Sequence, residues 1–210
     1  MQLSVIILNY NVRYFLEQCV FSVQKALEGI DGEIIVIDNA SSDDSCEMMK
    51  TKFPHIKLIE NAANLGFPKG NNIGVAQAKG EYICILNPDT VVAEDTYSKI
   101  LSFVNSIKVE IHSSNSQLPT FNSQLGIIGC KLIDGAGNFL PESKRGVPTP
   151  WVAFTKIFGL YKISNYFGKY YAQHLSENES GKVDILVGAF MMMKRELYLE
   201  VGGFDENCFM

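Results

Sequence analysis

"EYICILNPDT", residues 81–90, sets five apolar residues in a row and then stops on Asn87, Pro88 and Asp89. A strand with one wet face alternates apolar and polar side chains. A run without alternation is buried on both faces, the habit of parallel sheets covered by helices. Asp is almost never buried without a partner, so Asp89 at the mouth of such a strand needs a hydrogen bond, a cation or water. Two readings stay open: a turn carboxylate after Pro88, or a hard oxygen ligand that takes magnesium or manganese together with phosphate oxygens and water.

Three more runs share this character: "LSVIIL" at 3–8, "EIIVID" at 33–38 and "IKLIE" at 56–60. Between them, residues 13–28, 42–53 and 69–79 carry helical spacing, and Ser41, Ser42 and Asp43 are available as caps for the second helix. The order βαβαβαβ implies right-handed crossovers and an α/β fold with a mainly parallel central sheet and helices on both faces. Ligands bind such sheets beyond the carboxyl ends of the strands. Polar residues gather there: Asn9, Tyr10 and Asn11 after the first strand, Asp38, Asn39 and Ser41 after the second, Asn87 and Asp89 after the fourth.

The 210 residues fit one domain, or one domain with an appendage, and a net charge of −5 argues against a nucleic-acid binder. Cysteines at 19, 46, 84, 130 and 208 form no C-x-x-C pair and leave an odd count, which points to a reducing cytosol rather than a disulfide framework or zinc knuckle. "MQLSVIILNYN" has no basic n-region, and no apolar run reaches the length of about 18 residues that a membrane span requires. A soluble or peripheral protein is expected.

The second half is less regular. Residues 105–126 are rich in Ser, Asn and Gln and read as a polar surface excursion between a first half, 1–104, and a second, 127–210, of a single domain. "LGIIGCKLI" (125–133) reads as a strand and "DGAGNFL" (134–140) as a turn and return. Aromatics and lysines interleave over 151–171, either as a helix covering the core or as an acceptor wall or membrane-surface patch. Residues 182–204 read as a strand, a tight turn at Gly188 and Ala189, and a helix stopped by Gly202 and Gly203.

At "NLGFPKGNNIG" (64–74) the glycines suit a turn that opens a helix, whose free amides favour anions, and Lys69 adds a mobile positive charge. A plain loop and helix cap accounts for the stretch equally well. It is neither the dinucleotide fingerprint nor the phosphate-loop motif. Asp38 is either an Asx-turn or cap residue or a carboxylate that accepts the ring N–H of a base. His55, His112 and His174 share no motif, and no Ser-His-Asp or Cys-His arrangement occurs.

Taken together, "VIILNYN", "IVIDNASSDDS", "NLGFPKGNNIG", "LNPDT", "VGAFMMMKRE" and "GGFDENCFM" resemble glycosyltransferase family 2, most of all its rhamnosyltransferase-type branch. The resemblance implies a Rossmann-like fold of the glycosyltransferase A type, a nucleotide-diphospho-sugar donor, inversion at the anomeric carbon and a divalent cation, Mg2+ or Mn2+. By motif position, Asn9, Tyr10 and Asn11 flank the nucleotide, Asp38 holds the base with Asn39 and Ser41 beside it, and Asn64, Gly66, Lys69 and Asn72 shape the base and diphosphate side. "NPD" stands where the family has Asp-x-Asp, so Asp89 holds the metal and Asn87 contributes no charge. Gly188 and Ala189 fall on the acceptor side.

In the family, the segment resembling "GGFDENCFM" runs on to a Glu-Asp pair whose acid is the general base, whereas this chain stops at Met210. Asp205 and Glu206 match the stretch before that base and are assigned no catalysis. A positioned base is worth about 10²–10⁴-fold, so the resemblance implies a C-terminally truncated member that binds donor but transfers sugar poorly. Exposure of Phe204 and Phe209 is then expected to favour a homo-oligomer.

The leading expectation is an inverting glycosyltransferase domain in surface polysaccharide or glycolipid assembly, with a glycan or lipid-linked glycan acceptor, cytoplasmic or peripheral at the inner face of the membrane. The alternative is a catalytically silent nucleotide-sugar-binding module. A nucleotidyltransferase wants a basic, glycine-rich loop where this chain has "NYNVRYF", and a dehydrogenase lacks its fingerprint.

Overall fold

The computed structural model describes residues 1–113, 125–145 and 179–208. The expectations for 151–171 and for Phe209 lie outside them. The elements are β1 (Leu3–Asn9), α1 (Arg13–Ala26), β2 (Gly32–Asp38), α2 (Ser45–Lys52), β3 (Lys57–Glu60), α3 (Gly66–Ala76), β4 (Tyr82–Leu86), α4 (Thr96–Ser113), β5 (Lys144–Arg145), β6 (Ile185–Leu186), β7 (Phe190–Lys194) and α5 (Arg195–Glu200).

The main sheet has the order β3-β2-β1-β4-β7. β1 pairs in parallel with both β2 and β4, and β2 with β3. The chain walks outward from β1 to β3 and then crosses back to β4, so the strand order reverses between β1 and β4, where such sheets place their ligand crevice. β1 and β4 are buried almost throughout, as the runs without alternation require. α3 packs on β1 and β2, while α1 packs on α2. The close packing of α3 depends on its glycines: a Cβ on Gly74 would stand 2.5 Å from Ile37 Cδ1 and 2.6 Å from Ile6 Cγ2.

At the opposite end of the sheet, Ser4 Oγ accepts the Gly80 N–H at 2.8 Å and donates to Glu33 Oε1 at 2.7 Å. A Cβ on Gly80 would meet backbone atoms, Ser4 N at 2.5 Å and Tyr82 O at 2.6 Å, which cannot rotate away. Gly80→Ala is expected to cost about 2–3 kcal/mol, within the usual range for overpacking. Chemical denaturation checks it, and an unchanged midpoint refutes it.

Several sequence expectations change. Residues 105–113, a mixture of polar residues with Ile107, Val109 and Ile111, continue α4 to Ser113, so the first part of the expected excursion is helix; residues 114–124 lie outside the described ones. Residues 125–133 form no strand: Ile128 and Ile133 are single bridge residues, and an isolated antiparallel bridge joins Ile133 to Phe139 across the Asp134 turn. "FMMMK", expected within the last helix, is β7, because an edge place beside β4 outweighs the helix preference of methionine. The helix after it does stop at Gly202 and Gly203, with φ of +86° and +75°.

The chain divides into two compact units, residues 1–127 with 192–210, and residues 128–191. The second holds the Asp134 turn, a 3-10 turn at Pro141–Ser143 and the antiparallel pair β5–β6. No described helix is long and apolar enough to cross a membrane.

Candidate functional site

The carboxyl ends of β1, β2 and β4 form one rim, and a web centred on Asp38 holds its β1–β2 part. Asp38 is 2% exposed. Its Oδ1 accepts Asn9 Nδ2 at 2.7 Å and Ser41 Oγ at 2.6 Å, and its Oδ2 accepts the Ser41 N–H at 2.8 Å. Ser41 Oγ in turn accepts Asn9 Nδ2 at 3.0 Å and the Asn11 N–H at 2.9 Å. Asn11 returns the link, its Oδ1 accepting the Ser42 N–H at 2.7 Å. Asn11 and Ala40 both have left-handed backbone, φ +55° and +58°. Non-glycine residues hold that conformation only where surrounding contacts over-determine it, and this web supplies the contacts. Tyr10, between Asn9 and Asn11, is 48% exposed.

Asp38 therefore spends its charge on ordering the two loops. Ser41 and Ser42, expected as caps, face this web instead, and Asp43 receives the Ser45 N–H at 3.1 Å at the head of α2. Asp38→Asn presents an NH2 to donors it cannot accept and is expected to cost about 2 kcal/mol. Thermal denaturation checks this; an unchanged Tm means the web does not hold the loops.

A second web of side-chain amides adjoins the first. Asn61 Nδ2 donates to Asn39 Oδ1 at 2.8 Å, and Asn39 Nδ2 donates to Asn64 Oδ1 at 3.2 Å and to the Gly66 carbonyl at 3.3 Å. Asn64 Oδ1 also accepts the Gly66 N–H at 3.0 Å. Gly66 is buried with φ +77°, a conformation that suits glycine. Asn61 carries no motif signal, and only its spacing from Asn64 in a turn before a helix could have singled it out.

Gly66 opens α3, with Pro68 in the first turn, where its missing N–H costs nothing. Lys69 is exposed there and makes no ion pair with any described residue. Asn72 points elsewhere. Its Nδ2 donates to the Phe204 carbonyl at 2.9 Å and to Glu206 Oε1 at 3.0 Å, and its Oδ1 accepts the Tyr198 hydroxyl at 2.5 Å and the Phe204 N–H at 3.0 Å. Burial pushes the Tyr198 phenol up to about 12, so it stays protonated and donates. Asn72 thus latches α3 to the 203–206 segment with every polar atom used. Phe204, expected to be exposed, is half-buried against Phe67 and Tyr198, with ring centroids 5.5 and 5.6 Å away. Asp205 accepts from Asn207.

At the end of β4, the Thr90 N–H donates to the Asn87 carbonyl at 3.2 Å, a turn that leaves Asp89 exposed. Behind it, Cys19 Sγ lies 3.6 Å from the Asn87 carbonyl. Burial, with the Asp89 charge adding to it, pushes the Cys19 thiol up to about 12, which makes it an inert packing group. No three His, Cys, Asp or Glu side chains cluster as a cage among the described residues. One exposed carboxylate suits magnesium or manganese arriving with a diphosphate, since these ions keep water and take one or two carboxylates with substrate phosphates. In the second unit, Gly188 and Ala189 form the turn between β6 and β7, with open space where a Gly188 Cβ would stand.

The sequence model described as glycosyl transferase family 2 matches residues 4–115, over half of the chain, and spans this whole rim. The chain belongs to glycosyl transferase family 2. It is 31% identical over 112 residues to the minor teichoic acid biosynthesis protein GgaB of Bacillus subtilis, covering 51% of this chain and 12% of that protein. It is 23% identical over 219 residues to the N-acetylglucosaminyl-diphospho-decaprenol L-rhamnosyltransferase of Mycobacterium tuberculosis, covering 99% of this chain and 66% of that one. The chain thus spans less than two thirds of the length of these relatives. Among solved structures, S. aureus TarS superposes with a TM-score of 0.61 at 18% identity, over 99% of this chain and 31% of that one. The mannosyltransferase PcManGT of Pyrobaculum calidifontis, in complex with GDP-Man and Mn2+, gives 0.61 at 20% identity, over 98% and 48%. The fold is that of the glycosyltransferase A nucleotide-sugar transferases.

Proposed function

We propose that this family 2 domain binds a nucleotide-diphospho-sugar along the rim and passes the sugar to an acceptor hydroxyl with inversion, in the assembly of a cell-surface polysaccharide or glycolipid. The observation that carries the reading is the convergence, at the reversal between β1 and β4, of an ordered polar cradle and a lone exposed carboxylate. In the transfer, the acceptor hydroxyl gives its proton to solvent water and its oxygen bonds to the anomeric carbon as the bond from that carbon to the diphosphate breaks, releasing the nucleoside diphosphate.

The diphosphate lies toward Asp89, and the nucleoside toward the Asn9–Asn11 and Asn39–Gly66 loops. Lys69 and the first-turn amides of α3 offer positive potential to the phosphates. When bound at Asp89, a divalent cation supplies charge neutralisation to the leaving diphosphate. Asp38 and Asn9 order the cradle that receives the nucleoside. Supporting the reading, the mycobacterial relative is named a rhamnosyltransferase and PcManGT is described with GDP-Man and Mn2+. Calorimetric titration with uridine, thymidine and guanosine diphosphates, with and without Mn2+, tests it. Metal-assisted binding of at least one is expected, and binding of none overturns the reading.

A further inference from the structure

We propose that the outer face of α5, at the end of the sheet opposite the rim, pairs with the same face of a second copy of this chain across a two-fold axis. β7 ends there beside the start of β4: the Arg195 N–H donates to the Glu81 carbonyl at 2.9 Å, and Arg195 Nε donates to the Gly80 carbonyl at 3.2 Å. A cleft of about 670 Å³ opens at this junction, lined among the described residues by Glu81, Lys194, Arg195, Glu196, Leu199 and Glu200. Tyr198, 4% exposed, anchors the inner side of α5, so Glu196, Leu199 and Glu200, at i, i+3 and i+4, make up its outer face.

The charges on this face are not spent within the chain. Lys194, Arg195, Glu196 and Glu200 form no ion pair among the described residues. Glu196 and Glu200 stand one turn apart and repel each other. Leu199 beside them is 53% exposed and Val201 is 69% exposed, so the face has an apolar centre with a charged margin, the pattern of an association surface.

The order of the charges selects the partner. A two-fold axis across α5 lays the helix antiparallel on its copy, and every contact then occurs twice. The basic start, Lys194 and Arg195, meets Glu200 of the second copy at each end of the contact, with Leu199 of both copies between. A basic partner would repel Lys194 and Arg195, and an acidic one Glu196 and Glu200; a second copy supplies both signs in the reverse order. Because α5 has six residues, the contact is small, and a reversible dimer in the micromolar range, loosened by salt, is expected.

Sedimentation velocity on the full chain tests the pairing. The wild-type chain is expected to dimerise at low salt and to dissociate as salt rises. Lys194→Glu and Glu200→Lys each set like charges face to face at both symmetric contacts, and each is expected to weaken the dimer at least about 100-fold. Mixing the two single variants is expected to recover at least about tenfold of that loss, because each presents the charge the other lacks, and such recovery separates a direct contact from general damage. Glu200→Gln removes one charge without reversing it and is expected to fall between the wild-type chain and Glu200→Lys. Thermal denaturation checks that each variant is folded. A wild-type chain that stays monomeric at about 100 µM overturns the proposal. A dimer that neither reversal weakens overturns it as well, since another face then forms it. Neither result touches the donor-site reading, because the rim lies at the other end of the sheet.

Discussion

Asp89→Ala is expected to remove cation-assisted nucleotide binding, lowering the affinity for the preferred nucleoside diphosphate in Mn2+ by about 100-fold or more while leaving the fold unchanged. The magnitude follows from the donor set. The "NPD" sequence puts a neutral Asn87 beside Asp89, and no cage of His, Cys, Asp or Glu stands among the described residues. A cation recruited there has one protein charge to hold it, so its loss is not shared with neighbours. At about 1.4 kcal/mol for each factor of ten, a 100-fold loss is about 2.7 kcal/mol, within the range of about 1.5–3 kcal/mol for one interaction with a charged group. The same argument predicts that adding chelator to the wild-type chain reproduces the variant. Asn87→Asp is expected to move the other way, tightening the cation by restoring a second carboxylate. Titration of each variant with and without Mn2+ measures these effects. Equal binding with and without the cation in the wild-type chain would sink the assignment of Asp89, because the diphosphate would then be held by Lys69 and helix amides alone.

What the sequence made legible was the part of the fold governed by local pattern. β1, β2 and β4 are runs without polar alternation, and each ends on amide or carboxylate side chains. Burial on both faces therefore announced the parallel sheet, and the abrupt polar ends announced the rim. The roles of individual polar residues were less legible, because each depends on what lies across the rim. Asp38 read equally as an Asx-turn residue or as an acceptor for a base, and only the fold shows the hydrogen bond from Asn9 and the two from Ser41 that tie it to both loops. Asn61 carried no signal, since its partner Asn39 belongs to a different strand end. α4 runs through residues whose Ser and Asn content reads as loop, and "FMMMK" carries the propensity of a helix while taking the edge of a sheet. In the second, tertiary context outweighs a weak local preference.

Asn72→Ala is expected to destabilise the chain by about 3–5 kcal/mol with little effect on nucleotide affinity, the opposite pattern from Asp89→Ala. Motif position placed Asn72 on the donor side, but its amide meets partners 126 to 134 residues away in the chain. Truncation strands the Phe204 carbonyl and the Tyr198 hydroxyl proton together and leaves the Phe204 N–H only its longer bond to the Tyr198 oxygen at 3.3 Å, and each part-buried group left without a partner costs about 1–3 kcal/mol. The Phe67–Phe204–Tyr198 ring cluster then loses the hydrogen bonds that hold Phe204 in place. At about 2–4 °C per kcal/mol for a chain of this size, the midpoint should fall by roughly 10 °C. Hydrogen exchange at the Phe204 amide should rise with it. Asn72→Asp separates the latch from its electrostatics: the new oxygen faces the Glu206 carboxylate and the Phe204 carbonyl, so the damage should be greatest at neutral pH. It should ease as pH falls through the carboxylate range and one of the two acids takes a proton. If instead Asn72→Ala keeps its stability and loses nucleotide, the latch is wrong and Asn72 belongs to the donor site after all.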